Sequence, residues 1–534
     1  MRKKYIIVTG WVISGIGKWV TTASAGFFFS EKYNITPIKL DGYLNIDPGT
    51  MNPHEHGEVY VLADGAEVDM DFGHYERFMW GTCSGWQSIS MGKIYAGILE
   101  KERRWDFLWK TVQMIPHVTD HICERLEEEF ARQWWDICMI EIGGTVWDIE
   151  VELYLEAIRQ MRRNKAREDF LHIHLTYVPI PGGVDEQKTK PTQQSVNLLQ
   201  SRGLFPDIVI ARGKQQLTQD SLDKIALFSN LRDERVFSIP DVDCIYKIPE
   251  ILAEQNFDRL IHGKLCINYT NNKKLEQWKK LYNNKKTQKK TIAIIGKYTA
   301  LEDSYSSVIA ALEHVGFHLG IDVEVQFLDT RKTNVVSELG SVDACIVPWG
   351  FWDTAIENMI QTLKYIRENK IPCLWICLWM QLMAIECVRN LVWNMQANSL
   401  EFDENCAPND VVTLLESQKD IHMLWGTMRL WEQKTVLNPW IIYDNYTEQE
   451  RVLSGNIVTE RFRHRYEINP EFLSDMEKSG FKVSGKSRED VVQFMEMDTM
   501  IHPYYLGTQS HPELSSRLDC PAPLFYGLLK TTLK

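Results

Sequence analysis

Two sets of residues in this chain have the types and spacing to do chemistry, and the chemistries differ. Near the start, Ser14, Gly15, Ile16, Gly17 and Lys18 form a short glycine-bearing loop that ends on a lysine. Glycines in such a loop let backbone N–H groups approach phosphate oxygens, the following helix offers its unpaired N-terminal N–H groups, and the lysine ammonium adds a point charge. The spacing departs from a strict phosphate loop, because Val12 holds the first glycine position and Trp19 follows the lysine. By itself the loop reads equally well as a plain turn, but its position between a strand and a helix favours phosphate. Far down the chain stand Cys377, in the string WICLWMQ, and the run Gln509, Ser510, His511, Pro512 and Glu513. A thiol becomes a useful nucleophile when a base takes its proton and a third group orients that base, so Cys377, His511 and Glu513 form a candidate triad. An arbitrary cysteine is usually a small buried hydrophobe. The strand-turn-helix context of Cys377 and its HPE partner argue for the nucleophile.

Phosphates call for a divalent cation, and magnesium takes a few hard carboxylates while keeping room for water and phosphate oxygens. Asp71 and Glu141 are the candidates. Most single carboxylates are merely solvated. Glu141 is less easily dismissed, because it closes a buried parallel strand and the C-terminal ends of such strands are where α/β sheets bind ligands. The string Lys188, Thr189, Lys190, Pro191, Thr192 and Gln193 places two cations two residues apart beside a helix-breaking proline. Alone, it reads as an exposed loop.

These groups need a scaffold, and 534 residues exceed a single core and imply two or three domains. Short apolar runs at 5–8, 36–40, 136–142 and 171–178 alternate with helical stretches, as buried parallel strands do. A second series follows at 292–295, 323–327, 344–347 and 373–376. The expected fold is therefore α/β in two domains, each a mainly parallel sheet flanked by helices. We set the boundaries at 1–266 and 291–534, joined by a linker at 267–290. Within it, 271–290 is rich in Lys and Asn, lacks Gly and Pro, and reads as a solvated helix rather than a nucleic-acid patch. No solenoid-period repeat or long low-complexity tract is present.

Composition narrows the class. Hydrophobic content of 44% and charged content of 25% are those of a soluble globular protein, and no apolar run approaches a membrane span. The basic start breaks at Thr9 and Gly10, too early for a secretory core, and reads as a first strand. Eleven cysteines without CxxC pairs favour reduced thiols and a cytoplasmic address. A net charge of −13 argues against general nucleic-acid binding but leaves room for nucleotides read by local Lys and Arg.

Several strings are more specific than any loop motif. KLDGYLNIDPGTMNPHEHGEVYV, DGAEVDMDFGHYERF, IEIGGTVWDIE, HLTYVP, KTKPTQ, KIALF and DVDCIYKIP resemble the synthetase (amidoligase) domain of the CTP synthase family. PWGFW, WICLWMQ, GTMRL, RHRYEIN and SHPE resemble that family's class I glutamine amidotransferase domain. The resemblance spans nearly the whole chain in the right order. It implies a ligase of pyrimidine biosynthesis in which ATP phosphorylates the 4-oxygen of UTP and glutamine-derived ammonia displaces the phosphate to give CTP. It further implies magnesium, GTP as allosteric activator, a homotetramer, and neither nucleic acid nor membrane as partner.

By resemblance, Gly15, Ile16, Gly17, Lys18, Lys39, Asp71, Pro240, Asp241 and Val242 hold ATP, with Asp71 and Glu141 on the metal. Ser14, Asp148, Ile149, Glu150, Lys188 to Gln193 and Lys224 line the pyrimidine nucleotide site. Gly350 and the Leu378 amide region form the oxyanion hole, while Gln381, Glu401 and Arg465 hold glutamine. Pro53, His56 and Val59 match a segment that gates ammonia passage, and GTP is expected at 426–430 and 461–467.

The departures from the family pattern are systematic. Trp11, Trp19, Trp105, Trp109, Trp147, Trp349, Trp352, Trp375, Trp379, Trp425 and Trp431 stand where the family has glycine. A tryptophan adds volume and cannot freely adopt positive φ, so overpacking of about 1–3 kcal/mol is expected at each tight site. The stretch SGWQSISMGKIY also lacks the Arg and paired Asn of the family. The alternative reading is therefore a catalytically impaired homologue that keeps fold, nucleotide binding and assembly. A remoter one, another phosphate-loop amidoligase, is disfavoured by KTKPTQ.

Overall fold

The computed structural model describes residues 2–11, 15–132, 134–183, 186–297, 299, 301–331, 335–348, 356–414 and 428–533. Two compact units result, one from Met1–Thr50 and Asp71–Tyr282, the other from Met51–Met70 and Asn283–Lys534. A segment of twenty residues from the N-terminal half thus packs as part of the second unit.

In chain order the first strands are β1 (Lys4–Gly10), β2 (Ile35–Asp41), the hairpin strands β3 (Val59–Val61) and β4 (Glu67–Asp69), and β5 (Ser88–Ser90). They are followed by β6 (Ile137–Ile142), β7 (Phe170–Tyr177), β8 (Ile208–Gly213) and β9 (Val236–Pro240). The first unit holds a seven-stranded sheet in the order β5-β2-β6-β1-β7-β8-β9, with every pair parallel. Strand β1 is buried along its whole length, as a strand covered by helices on both faces must be. Because all strands run the same way, their C-terminal ends share one edge. Strand β1 lies at the switch point between β6 and β7, where such sheets open a ligand crevice.

The stretch expected as a solvated linker contains the helix Lys273–Tyr282, which belongs to the first unit. One face is solvated, but Trp278 is fully buried against Phe27, Phe78 and Tyr246. The Lys and Asn content hid this single apolar stripe.

The second unit continues with β10 (Gln288–Gly296), β11 (Ile321–Asp329), β12 (Ala344–Val347) and β13 (Cys373–Ile376). Then come β14 (Asn398–Ser399), β15 (Asp410–Thr413), β16 (Arg429–Leu437), β17 (Ile457–His464) and β18 (Glu467–Ile468). The last are β19 (Phe481–Ser487), β20 (Val492–Met497) and β21 (Tyr505–Thr508). Nine strands form one sheet in the order β11-β10-β12-β13-β21-β20-β19-β16-β17, while β14, β15 and β18 form a small separate one. The β11 to β21 part is parallel, and β20, β19, β16 and β17 are antiparallel. This sheet is therefore mixed rather than mainly parallel. The short β19–β20 and β20–β21 links cannot make the long crossover that parallel pairing needs.

The tryptophans fall into different environments. Trp375 and Trp379 are at most 1% exposed and sit in the core with Leu382, Met383 and Tyr505, so their volume is accommodated. Neither indole N–H has a hydrogen-bond partner among the described residues, which costs about 1–3 kcal/mol for each buried donor. Trp11 is half-buried against the core of the first unit, and Trp19 stacks on His74 with centroids 3.7 Å apart. Trp147 is exposed. Trp105, Trp109 and Trp431 adopt positive φ (68°, 67° and 123°), as do Trp80 and Trp393. Trp349, Trp352 and Trp425 lie outside the described residues.

Candidate functional site

The chain leaves β1 at Gly10 and enters the helix Lys18–Phe27 at Gly17, the loop expected to bind phosphate; the φ of 85° at Gly17 is a left-handed conformation that glycine adopts without strain. A Cβ on Gly10 would stand 2.7 Å from Lys18 Cδ, so the glycine makes room for the lysine stem. Lys18 Nζ donates to the Gly144 carbonyl at 2.6 Å. Burial lowers the pKa of this ammonium, and the Glu141 carboxylate opposes the shift.

Lys39 on β2 pairs in register with Glu141 on β6. Its Nζ lies 3.5 Å from Glu141 Oε1 and 3.8 Å from Asp41 Oδ1, and it also pairs directly with Asp71. Glu141 Oε2 accepts from Tyr75 OH at 2.7 Å and from Thr22 Oγ1 at 2.8 Å. Burial pushes the Glu141 carboxyl up from its ordinary value while Lys39 pulls it back. Asp71 and Glu141 both contact the Lys39 ammonium, and one or two hard carboxylates are a donor set that magnesium accepts alongside water and phosphate oxygens. Among the described residues there is no cluster of three or more His, Cys, Asp or Glu side chains with metal-binding geometry.

The residues expected around the pyrimidine nucleotide follow strands of the same sheet edge. Asp148, whose carboxylate accepts from Thr145 N at 2.6 Å, precedes the turn Ile149–Val151 after β6, and Ile149 and Glu150 are exposed there. After β7, Thr189 caps the helix Lys190–Ser201, with Pro191 in its first turn. Thr192 Oγ1 donates to the Tyr177 carbonyl at 3.3 Å, Gln193 Nε2 donates to Thr189 Oγ1 at 3.0 Å, and Lys190 is exposed. Lys188 donates to Glu186 at 2.5 Å, and Lys224, exposed on the helix Gln219–Ser229, also bears on that carboxylate. Pro240 ends β9. Asp241 beyond it pairs at 2.8 Å with Arg212, which also donates to the Ile16 carbonyl at 2.8 Å, linking the β9 end to the phosphate loop. Ser14 lies outside the described residues.

In the second unit Cys377 sits between β13 and the helix Leu378–Asn390 with φ 60° and ψ −116°, a strained turn for a non-glycine residue. Cys377 N donates to the Thr508 carbonyl at 2.7 Å and its thiol donates to the Arg463 carbonyl at 3.2 Å. His511 Nδ1 and Glu513 Oε1 are 2.8 Å apart, both side chains buried. Burial works to lower the imidazole pKa, but Glu513 and Cys377 outweigh it and raise it to about 10. His511 Nε2 has no hydrogen-bond partner among the described residues. The arrangement stabilises the imidazolium form of His511.

Gln381 Nε2 donates to the Tyr466 carbonyl at 2.7 Å and to Gln509 Oε1 at 3.0 Å, which leaves Gln381 Oε1 unpaired among the described residues. Glu401 is raised to about 7 by burial, against the pull of Lys297 and Arg465. Leu378 opens the helix behind Cys377, and Gly350 lies outside the described residues. Pro53, His56 and Val59 fall in the segment that packs with this unit: the Pro53 carbonyl accepts from Ser304 Oγ at 3.2 Å, and Val59 is buried on β3.

The profile described as CTP synthase N-terminus matches residues 4–267, and that described as Glutamine amidotransferase class-I matches 300–531. CTP synthase from Archaeoglobus fulgidus is 42% identical over 99% of this chain and 98% of its own length. The chain belongs to the CTP synthase family. CTP synthase from Bacillus anthracis is 41% identical, with 99% of this chain and 98% of the relative covered. Among solved structures, the glutaminase domain of Trypanosoma brucei CTPS with bound acivicin is 28% identical over 46% of this chain and 93% of that one, with a TM-score of 0.41. For this CTP synthase family member, sequence reasoning missed Lys297 beside Glu401, Arg212 under the phosphate loop, and Tyr75 and Thr22 on Glu141. It also missed the Arg463 carbonyl at the thiol. The alternating arginines of RFRHR on a strand were a readable signal; a backbone carbonyl leaves none.

Proposed function

We propose that this chain makes CTP from UTP, with ATP as phosphoryl donor and glutamine as nitrogen source. ATP phosphorylates the 4-oxygen of UTP, which makes that oxygen a good leaving group. Ammonia then forms the new C–N bond at C4 and phosphate departs. Positioning and charge neutralisation are most of what the phosphoryl step asks of a protein. Lys18, Lys39 and the backbone of Gly15, Ile16 and Gly17 supply these at the ATP end, with Lys188, Lys190 and Lys224 toward the pyrimidine nucleotide. Asp71 and Glu141 would hold Mg2+, which when bound neutralises phosphate charge.

In the second unit the Cys377 thiolate attacks the glutamine carboxamide carbon, and the His511 imidazolium gives its proton to the departing ammonia. Water then cleaves the thioester to release glutamate. Glu513 holds the imidazole and favours its charged form. Gln381, Glu401 and Arg465 orient glutamine, and Pro53, His56 and Val59 lie along the ammonia route. GTP activation, a homotetramer and a cytoplasmic location complete the reading, on the strength of the family resemblance. No helix among the described residues is long and apolar enough to cross a membrane.

The observation that carries the proposal is the buried Cys377, His511 and Glu513 arrangement in a chain 42% identical, along 99% of its length, to a CTP synthase. The test is UTP conversion to CTP with ATP and magnesium, supplied with either glutamine or free ammonia. CTP from both sources is expected. No CTP from either, in a folded sample, overturns the proposal in favour of the impaired homologue that Trp11 and Trp19 beside the phosphate loop would produce. Turnover with ammonia alone places the damage at the thiol site or in ammonia delivery.

A further inference from the structure

The hairpin of β3 and β4 is gripped by one face of β17. Arg463 Nε donates to Glu67 Oε1 at 2.7 Å, and both side chains are at most 7% exposed. Two residues earlier, Arg461 Nη1 donates to Tyr60 OH at 2.9 Å and to the Val61 carbonyl at 3.1 Å. Tyr60 OH in turn donates to the Leu514 carbonyl at 2.7 Å, one residue beyond Glu513. The hairpin turn is seated as well: Glu432 N donates to the Ala63 carbonyl at 3.0 Å, and Gly65, with φ 84°, sits where a Cβ would stand 3.0 Å from the Leu430 carbonyl.

The backbone of the same two arginines meets the thiol chemistry. The Arg461 carbonyl accepts from His511 N at 2.8 Å, and the Arg463 carbonyl accepts the Cys377 thiol at 3.2 Å. Residues i and i+2 of a strand point their side chains to one face, so a single rigid element carries both carbonyls and both guanidinium groups. A buried ion pair of this kind fixes geometry more than it adds stability. Removing one partner leaves an uncompensated buried charge, which shifts the strand that bears the carbonyl.

We propose that Glu67 and Tyr60 are positioning residues for the glutamine-hydrolysing centre: through Arg463 and Arg461 the hairpin sets where β17 holds the Cys377 thiol and the His511 backbone. The hairpin is thus a device by which the 51–70 segment tunes the thiol. The proposal rests on the reading of Cys377 as the glutamine nucleophile and goes beyond it, since neither Glu67 nor Tyr60 touches the reacting atoms.

The test compares Glu67→Gln, Glu67→Asp and wild-type full-length chain, each checked for its melting temperature. Three quantities are read: kcat and KM for glutamate release from glutamine, the pH profile of Cys377 alkylation by iodoacetamide, and CTP formation from free ammonia. Since a displacement of about 1 Å costs up to ~100-fold in rate, Glu67→Gln is expected to lower kcat about tenfold with KM within about twofold. It should also displace the alkylation profile, while ammonia-supported CTP formation stays within about twofold of wild type. Glu67→Asp, which keeps the charge, should regain part of both effects. An unchanged kcat, a change in KM alone, or glutamine- and ammonia-supported rates falling together would each overturn the proposal. If wild type makes no CTP from either nitrogen source, the proposed function fails, and the alkylation profile and glutamate release still decide the role of the hairpin.

Discussion

The Cys377 thiol donates to the Arg463 carbonyl at 3.2 Å, while His511 Nε2 has no hydrogen-bond partner among the described residues. The thiol is thus engaged by backbone. Catalytic hydrogen bonds in unliganded sites are often long or misaligned and tighten only with substrate bound.

Replacing the thiol isolates the two halves of the reaction. Cys377→Ser should lower glutamine-supported CTP formation by about 10³-fold or more, as loss of a triad nucleophile does. Ammonia-supported formation should persist. The two-nitrogen-source assay reads both, and loss of both together would contradict the assignment.

The converse holds at the other end. Lys18→Ala removes the cation that lies against the Gly144 carbonyl. CTP formation should fall by about 100-fold or more with either nitrogen source, since positioned charges of this kind carry several kcal/mol of transition-state stabilisation. Glutamate release from glutamine measured on the same sample should survive.

His511 also carries a signature in stability. Its folded-state value, about 10, exceeds the ordinary 6.5, so the stabilisation it contributes is complete below about pH 6.5 and disappears as pH rises through about 10. Denaturant titrations of wild type and His511→Gln should therefore differ most at low and neutral pH and converge above pH 10. A constant difference across that range would contradict the ion pair with Glu513.

Glu401 titrates at about 7 because burial outweighs Lys297 and Arg465. If its carboxylate holds the glutamine α-ammonium, KM for glutamine should fall as pH rises through 7, and Glu401→Gln should raise KM and flatten that dependence. A KM independent of pH in wild type would remove Glu401 from the site.

Some tryptophans occupy backbone built for glycine. Trp105 and Trp109 have φ of 68° and 67° and are 56% and 87% exposed, so beyond their mutual edge-to-face contact little packing compensates a conformation that costs side-chain-bearing residues about 1–2 kcal/mol. Trp105→Gly and Trp109→Gly should each stabilise the chain by about 1 kcal/mol in denaturant unfolding. Trp440→Gly, at a position 42% exposed with φ −126°, serves as the control and should bring no gain.

The sequence by itself determined the two chemistries, the order of the domains and most of the first sheet. Strand signals at 5–8, 36–40 and 344–347 sit inside observed strands because unbroken apolar runs between helices are what buried parallel strands require. The pairing of His511 with Glu513 was likewise legible, since the two are neighbours in the chain. Tertiary structure decided the rest. That Lys39 faces Glu141 depends on β2 pairing with β6 across about a hundred residues, and that Glu401 stands near Lys297 depends on loops that converge only in the folded unit. The mixed second sheet, the burial of Trp278 and the adoption of residues 51–70 by the second unit follow from which faces find partners. Local patterning records what a segment can bury, whereas the identity of what it is buried against is fixed only when distant segments meet.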